Sequence, residues 1–266
     1  MRRHILIMLY EEGVSNLTDV QTLGSDYALE RMLADVNSAI RAVVSLDYRV
    51  YVCDVFERAE EQLKPEISKN VFRVRVNDLA KLCQDRFRLD GVVLVGAHAK
   101  NNAPQSFASY SVNKETIDRY FLNGVECGDI GLAMAYFGAY NIPVVAITGD
   151  LAAIAEAQGL VENLPGAVVK TADVRERTNS ALSPSKADSL IFETVLFGVS
   201  ICEDIMPYKT GAPYSIKIVY NTPADCDDAI KRNSQKGLKR IDARTVEKHL
   251  NMIINFNDLR YKDEII

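Results

Sequence analysis

The run Gly91-Val92-Val93-Leu94-Val95-Gly96 reads as a strand apolar on both faces. Such a strand is buried by a parallel sheet with helices on each side, because an antiparallel sheet with one wet face would alternate. The flanking sequence supplies the expected partners. Ile5–Tyr10 reads as a buried first strand, and Tyr27–Val44 repeats Leu29, Met32, Leu33, Val36, Ile40 and Val43 at the spacing of one helical face. Val50–Asp54 is the next strand, Val71–Val76 a short alternating one, and Leu79–Phe87 a helix. The rhythm predicts an α/β fold, a mainly parallel sheet flanked by helices, with a second smaller α/β lobe at the C-terminus.

Beyond the central strand, His98–Val112 is polar and broken by Pro104, so it is a loop at the C-terminal strand end, where open α/β sheets place ligands. Asn123-Gly124 signals a two-residue hairpin between Ile117–Leu122 and Val125–Cys127. A helix near Gly128–Tyr140, a strand Val144–Thr148 and a helix capped by Asp150 follow. Ser183-Pro184 opens another helix. Pro207 and Gly211-Ala212-Pro213 mark a boundary, giving a main domain over 1–205 and a smaller lobe over 206–266. In that lobe the spacing predicts a strand Ile216–Tyr220, a helix capped by Thr222, a strand at Ile241 and a helix from Thr245 to Ile254.

Composition narrows the function classes. A formal charge of −5, with no basic run longer than a pair, argues against nucleic acid as the main partner. The uncharged stretch between Asp129 and Asp150 is cut by Asn141 and Pro143, so no membrane span is expected. Five widely spaced cysteines without a C-x-x-C pair point to reduced thiols and a cytoplasmic protein. His4, His98 and His249 are the only imidazoles in the chain.

If the strands are neighbours, Glu12, Asp54 and His98 converge on one crevice with Asp129, which opens the helix after the hairpin. A histidine with carboxylates is a donor set for Zn²⁺ or another divalent ion. The plainer reading is that Asp54 and Asp129 cap backbone groups and His98 is a loop hydrogen-bonder. Ser183-x-x-Lys186 matches a penicillin-recognising pattern, yet its place at a helix start favours capping.

Gly96-Ala97-His98-Ala99-Lys100, Gly128-Asp129-Ile130-Gly131-Leu132, Pro143-Val144-Val145 with Thr148-Gly149-Asp150, Val169-Lys170 and Leu182-Ser183-Pro184-Ser185-Lys186-Ala187 occur in this order. Together they resemble the DppA-type zinc D-aminopeptidases over about Ile5 to Ala187. The resemblance implies a two-zinc site that removes N-terminal D-residues from short peptides, and ring-shaped homo-oligomers with sites facing an inner channel.

The chain departs from the family pattern at the site. Where the resemblance implies a bridging Asp, this sequence has Tyr10, followed by Glu11 and the retained Glu12. The ligand His after Asp54 is replaced by Phe56, the ligand His98 is kept, and a ligand Glu is shortened to Asp129. A His implied as nucleophile or base is Tyr110. Two close zinc ions need a shared anionic bridge, and a neutral tyrosine offers none. The expected metal ligands are therefore Glu12, His98 and Asp129 around at most one divalent ion, zinc first, with Tyr110 and Asp54 as catalytic candidates. Three readings follow: an amide-bond enzyme with altered chemistry on a small peptide-like substrate, an inactive binding or scaffold subunit of a ring, with or without a paralogue, and an ordinary zinc D-aminopeptidase with replacement ligands.

Overall fold

The computed structural model describes residues 3–55, 70–84, 89–173, 178–233 and 237–260. Its main sheet has the order β3-β2-β1-β4-β7-β8-β9, built from β1 (His4–Leu9), β2 (Arg49–Asp54), β3 (Val71–Arg73), β4 (Gly91–Ala97), β7 (Val144–Asp150), β8 (Gly166–Asp173) and β9 (Thr178–Ala181). All neighbouring pairs are parallel except β8 with β9. β4 sits at the centre with every residue buried, as its two-faced apolar character requires.

Period-two alternation divides the core between the two faces. Ile5, Ile7 and Leu9 pack with Met32, Val36 and Val43 of α1 (Asp26–Ser45) and Ile191 and Val195 of α5 (Pro184–Ser200). Leu6, Met8 and Tyr10 pack on the opposite side with α2 (Leu79–Gln84), α3 (Asp129–Ala139) and α4 (Leu151–Leu160). A second sheet completes that side, in the order β11-β12-β10-β5-β6, from β11 (Lys239–Arg240), β12 (Thr245–Leu250), β10 (Tyr214–Tyr220), β5 (Ile117–Leu122) and β6 (Val125–Glu126).

The second sheet corrects one expectation. Thr245–Leu250 is not helical but a strand antiparallel to β10, with Val246 facing Ile218. A short run beginning Thr-Val satisfies either period, and its β-branched start and the pairing along Tyr214–Val219 favour the strand. The hairpin at Asn123-Gly124 is present, and β5 pairs antiparallel with β10 across the chain. α6 (Pro223–Arg232) carries the Thr222–Asp225 capping box, and α7 (Asn257–Arg260) closes the described chain. Among the described residues no helix is long and apolar enough to cross a membrane. Cys53, Cys83, Cys127, Cys202 and Cys226 are free and buried.

Two glycines bring the strand ends together. Gly96 adopts φ +70°, and a Cβ there would lie 2.5 Å from the Tyr10 carbonyl oxygen. A Cβ on Gly13 would lie 2.0 Å from the Ala97 carbonyl oxygen, while the Gly13 N–H donates to Gly96 O at 2.8 Å. The segments leaving β1 and β4 therefore cross in backbone contact, and this crossing sets Glu12 beside His98.

Candidate functional site

The crevice lies at the C-terminal ends of β1, β2 and β4 and is roofed by the loop from His98 to Val112. An isolated parallel bridge pairs Ala99 with Ser109, and the Tyr110 N–H donates to the Ala99 carbonyl at 3.2 Å. This turns the Tyr110 ring onto the His98 imidazole, with centroids 3.9 Å apart and planes 20° from parallel. The Tyr110 hydroxyl donates to Glu12 Oε1 in a short hydrogen bond. Glu12 Oε2 is buried and has no hydrogen-bond partner among the described residues. Tyr10 meets His98 edge-on, centroids 6.3 Å apart.

On the other side, His98 and Asp129 are each 1% exposed, and His98 Nε2 lies 3.6 Å from Asp129 Oδ2. The Val112 N–H donates to the same Asp129 oxygen at 2.9 Å. His98 Nδ1 stands 3.1 Å from the Ala99 carbonyl. A carbonyl only accepts, so Nδ1 carries a proton and Nε2 is the ring nitrogen that faces the carboxylate. Nε2 has no hydrogen bond. An imidazole nitrogen and a carboxylate oxygen this close in a dry pocket can share a proton or hold a cation between them.

Glu12, Tyr110, His98 and Asp129 are thus brought together, linked in that order by a hydrogen bond, a ring stack and a close polar approach. Asp54 is buried at the end of β2, in register with Leu9. Phe56 lies outside the described residues. Glu11 lies in the bend after β1 and accepts from the Gly24 N–H at 2.6 Å. His249 is on β12 with its side chain 67% exposed, and Ser183 begins α5 without a side-chain capping bond. Burial pushes the Cys127 thiol up, so it is no ready thiolate.

Tyr110 engages one oxygen of Glu12, and among the described residues no group of three or more His, Cys, Asp or Glu side chains is placed to hold a metal ion. Catalytic zinc sites ordinarily have three protein ligands. His98 Nε2 and Asp129 Oδ2 supply two.

Three supporting residues are not evident from sequence pattern alone. Glu156 of α4 accepts from the Lys100 N–H at 2.6 Å and the Gly128 N–H at 3.0 Å, joining the His98 loop to the start of α3, and burial raises its pKa. It also lines a cleft of about 640 Å³ with Lys100, Asn101, Asp118, Arg119 and Glu126, which shares that wall with the crevice. Lys170 of β8 is buried near Glu12, and desolvation lowers its pKa to about 7 against the pull of Asp150, Asp35 and Glu12. Asp35 of α1 accepts from the Ser15 N–H at 2.7 Å and the Ser15 hydroxyl at 2.6 Å, and burial raises its pKa to about 6. A lysine directly after the apolar run Ala167-Val168-Val169 was the available signal for Lys170.

Comparison with known proteins places this geometry among relatives. A family model described as D-aminopeptidase matches residues 10–257. A D-aminopeptidase of Bacillus subtilis (strain 168) is 28% identical over 147 residues, covering 55% of this chain and 52% of that protein. The match therefore spans about half of that relative's length. The solved structure of a Zn-dependent D-aminopeptidase, DppA from Bacillus subtilis, described as a self-compartmentalizing protease, superposes with a TM-score of 0.81 at 19% identity, covering 98% of each chain. That likeness shows the fold.

Proposed function

The chain belongs to the D-aminopeptidase family, and from that premise we propose that it acts on the amide bond of a small peptide-like substrate by chemistry altered from two-zinc hydrolysis. The observation that carries this reading is Tyr110, which occupies Glu12 and covers His98 where a metal-ligand set would otherwise be open. Glu12 Oε2, buried and without a hydrogen bond, is the base that takes a proton from attacking water. When a substrate carbonyl enters, the Tyr110 hydroxyl leaves Glu12 and donates to the developing oxyanion. The Asp54 carboxylate, on the neighbouring strand, receives the substrate's free amino group. The mixed charges of the adjoining cleft suit the remote end of a short peptide.

Were one divalent ion bound, zinc first, His98, Asp129 and Glu12 are the residues that would hold it. Such an ion would polarise the substrate carbonyl. Assembly into a ring of identical subunits in the cytoplasm is part of the proposal, supported by the self-compartmentalizing relative. A second reading, a binding or scaffold subunit without turnover, draws on the same Tyr110 stack, taken as a plug instead of a donor.

Assay of D-Ala peptides with the unaltered chain and Glu12→Gln separates the two. Turnover abolished in Glu12→Gln supports the enzyme. No turnover from an intact ring that still binds the peptides leaves the binding subunit.

A further inference from the structure

The proposed mechanism makes no use of Lys170, although its ammonium is buried beside the crevice. The residue is 2% exposed. Nζ donates to the Glu12 carbonyl at 2.5 Å and the Leu17 carbonyl at 3.0 Å, and stands 3.6 Å from the Phe107 ring centroid. The three N–H groups of an ammonium are thereby occupied by two carbonyls and a ring face. None is left to reach a substrate.

These contacts join the two segments that meet in the crevice. Glu12 and Leu17 belong to the segment leaving β1, and Phe107 lies three positions before Tyr110 in the loop above His98. Phe107 is itself anchored, its N–H donating to Asp150 Oδ2 at 2.6 Å. A methionine would fill comparable space without the cost of removing an ammonium from water. Retaining a charge here makes sense where backbone carbonyls must be gripped from a fixed point.

We infer that Lys170 is a positioning residue, clamping the Glu12 backbone against the Phe107–Tyr110 loop so that the Tyr110 hydroxyl meets Glu12 and its ring covers His98. The clamp is a property of the fold. Its consequence for turnover rests on the amide-bond reading above.

Proton NMR of the histidine side chains reads the clamp without any activity, since the chain has only three. The His98 signals are displaced by the overlying Tyr110 ring, whereas His4 sits beside Tyr51 at 5.9 Å and His249 is exposed. In Lys170→Met the His98 signals are expected to lose that displacement while those of His4 and His249 hold, and Lys170→Gln, a neutral donor, is read the same way. An unmoved His98 with a lowered melting temperature, or all three histidines shifting together, overturns the clamp in favour of a merely structural lysine. Should neither variant fold, the unaltered protein decides: at a pH below about 6, where Lys170 is charged, a lysine ammonium resonance protected from solvent exchange is expected, and its absence refutes the contacts. With a peptide substrate, Lys170→Met is expected to lower kcat about 10- to 100-fold with KM nearly unchanged. A chain that never turns over defeats the hydrolytic reading and leaves the histidine result standing.

Discussion

The two sides of the crevice are held in opposite ways. On the β1 side, Glu12 is fixed through its backbone by Lys170 and through its side chain by Tyr110, with Gly13 pressed against Ala97. On the β4 and α3 side, His98 Nε2 and Asp129 Oδ2 face each other at 3.6 Å with no hydrogen bond between them. One side has a Glu12 oxygen occupied by a phenol, and on the other an imidazole nitrogen and a carboxylate oxygen approach without a hydrogen bond between them. On the reading proposed above, the departures from a two-zinc site fall on the Glu12 side, where Tyr110 engages the carboxylate, while His98 and Asp129 stand in close approach opposite.

The contrast can be attacked through the crossing that holds Glu12 beside His98. Gly13→Ala forces a Cβ to within 2.0 Å of the Ala97 carbonyl oxygen, and chemical denaturation is expected to record a loss of about 3 kcal/mol or more. A loss within experimental error would mean that the β1 end is free to move, and the two sides would no longer differ in rigidity.

Asp35 probes the same side through pH. A carboxyl whose pKa is raised in the folded state holds its proton more tightly folded than unfolded, so its contribution is greatest below the unfolded value near 3.8 and declines as pH rises to about 6. Stability measured between pH 4 and 6 should therefore lose roughly 2 kcal/mol from this group. In Asp35→Asn, which retains hydrogen-bonding capacity toward Ser15, that slope should flatten. An unchanged slope would place the titration elsewhere.

Tyr110→Phe makes the smallest change. It releases Glu12 at a cost of about 1 to 2 kcal/mol and should make the two sides alike, with more metal retained on purification than by the unaltered chain. Equal metal content would deny that the phenol is what closes the Glu12 side.

Much of this was legible in the sequence, though unevenly. The central strand Gly91–Gly96 announced a parallel sheet because two buried faces leave a near-continuous apolar run. Glu12, His98 and Asp129 could be placed in one crevice because strand ends and helix starts gather at one edge of such a sheet. Thr245–Leu250 was misread because a short segment fits both periods and its partner, Tyr214–Val219, is distant in sequence. The bridging of Lys100 and Gly128 by Glu156, and the Lys170 contacts, depend on side chains reaching across elements, which no local pattern encodes. The Tyr110 stack was equally hidden. Spacing placed the residue in the loop, but only the Ala99–Ser109 bridge turns its ring onto His98.

Metal content per chain, measured by elemental analysis on protein purified without chelator, tests the difference between the two sides most directly. At most one divalent ion per chain is expected, lost in His98→Ala. Two ions per chain would contradict the account, since they would require ligands that Tyr10 and Tyr110 do not supply.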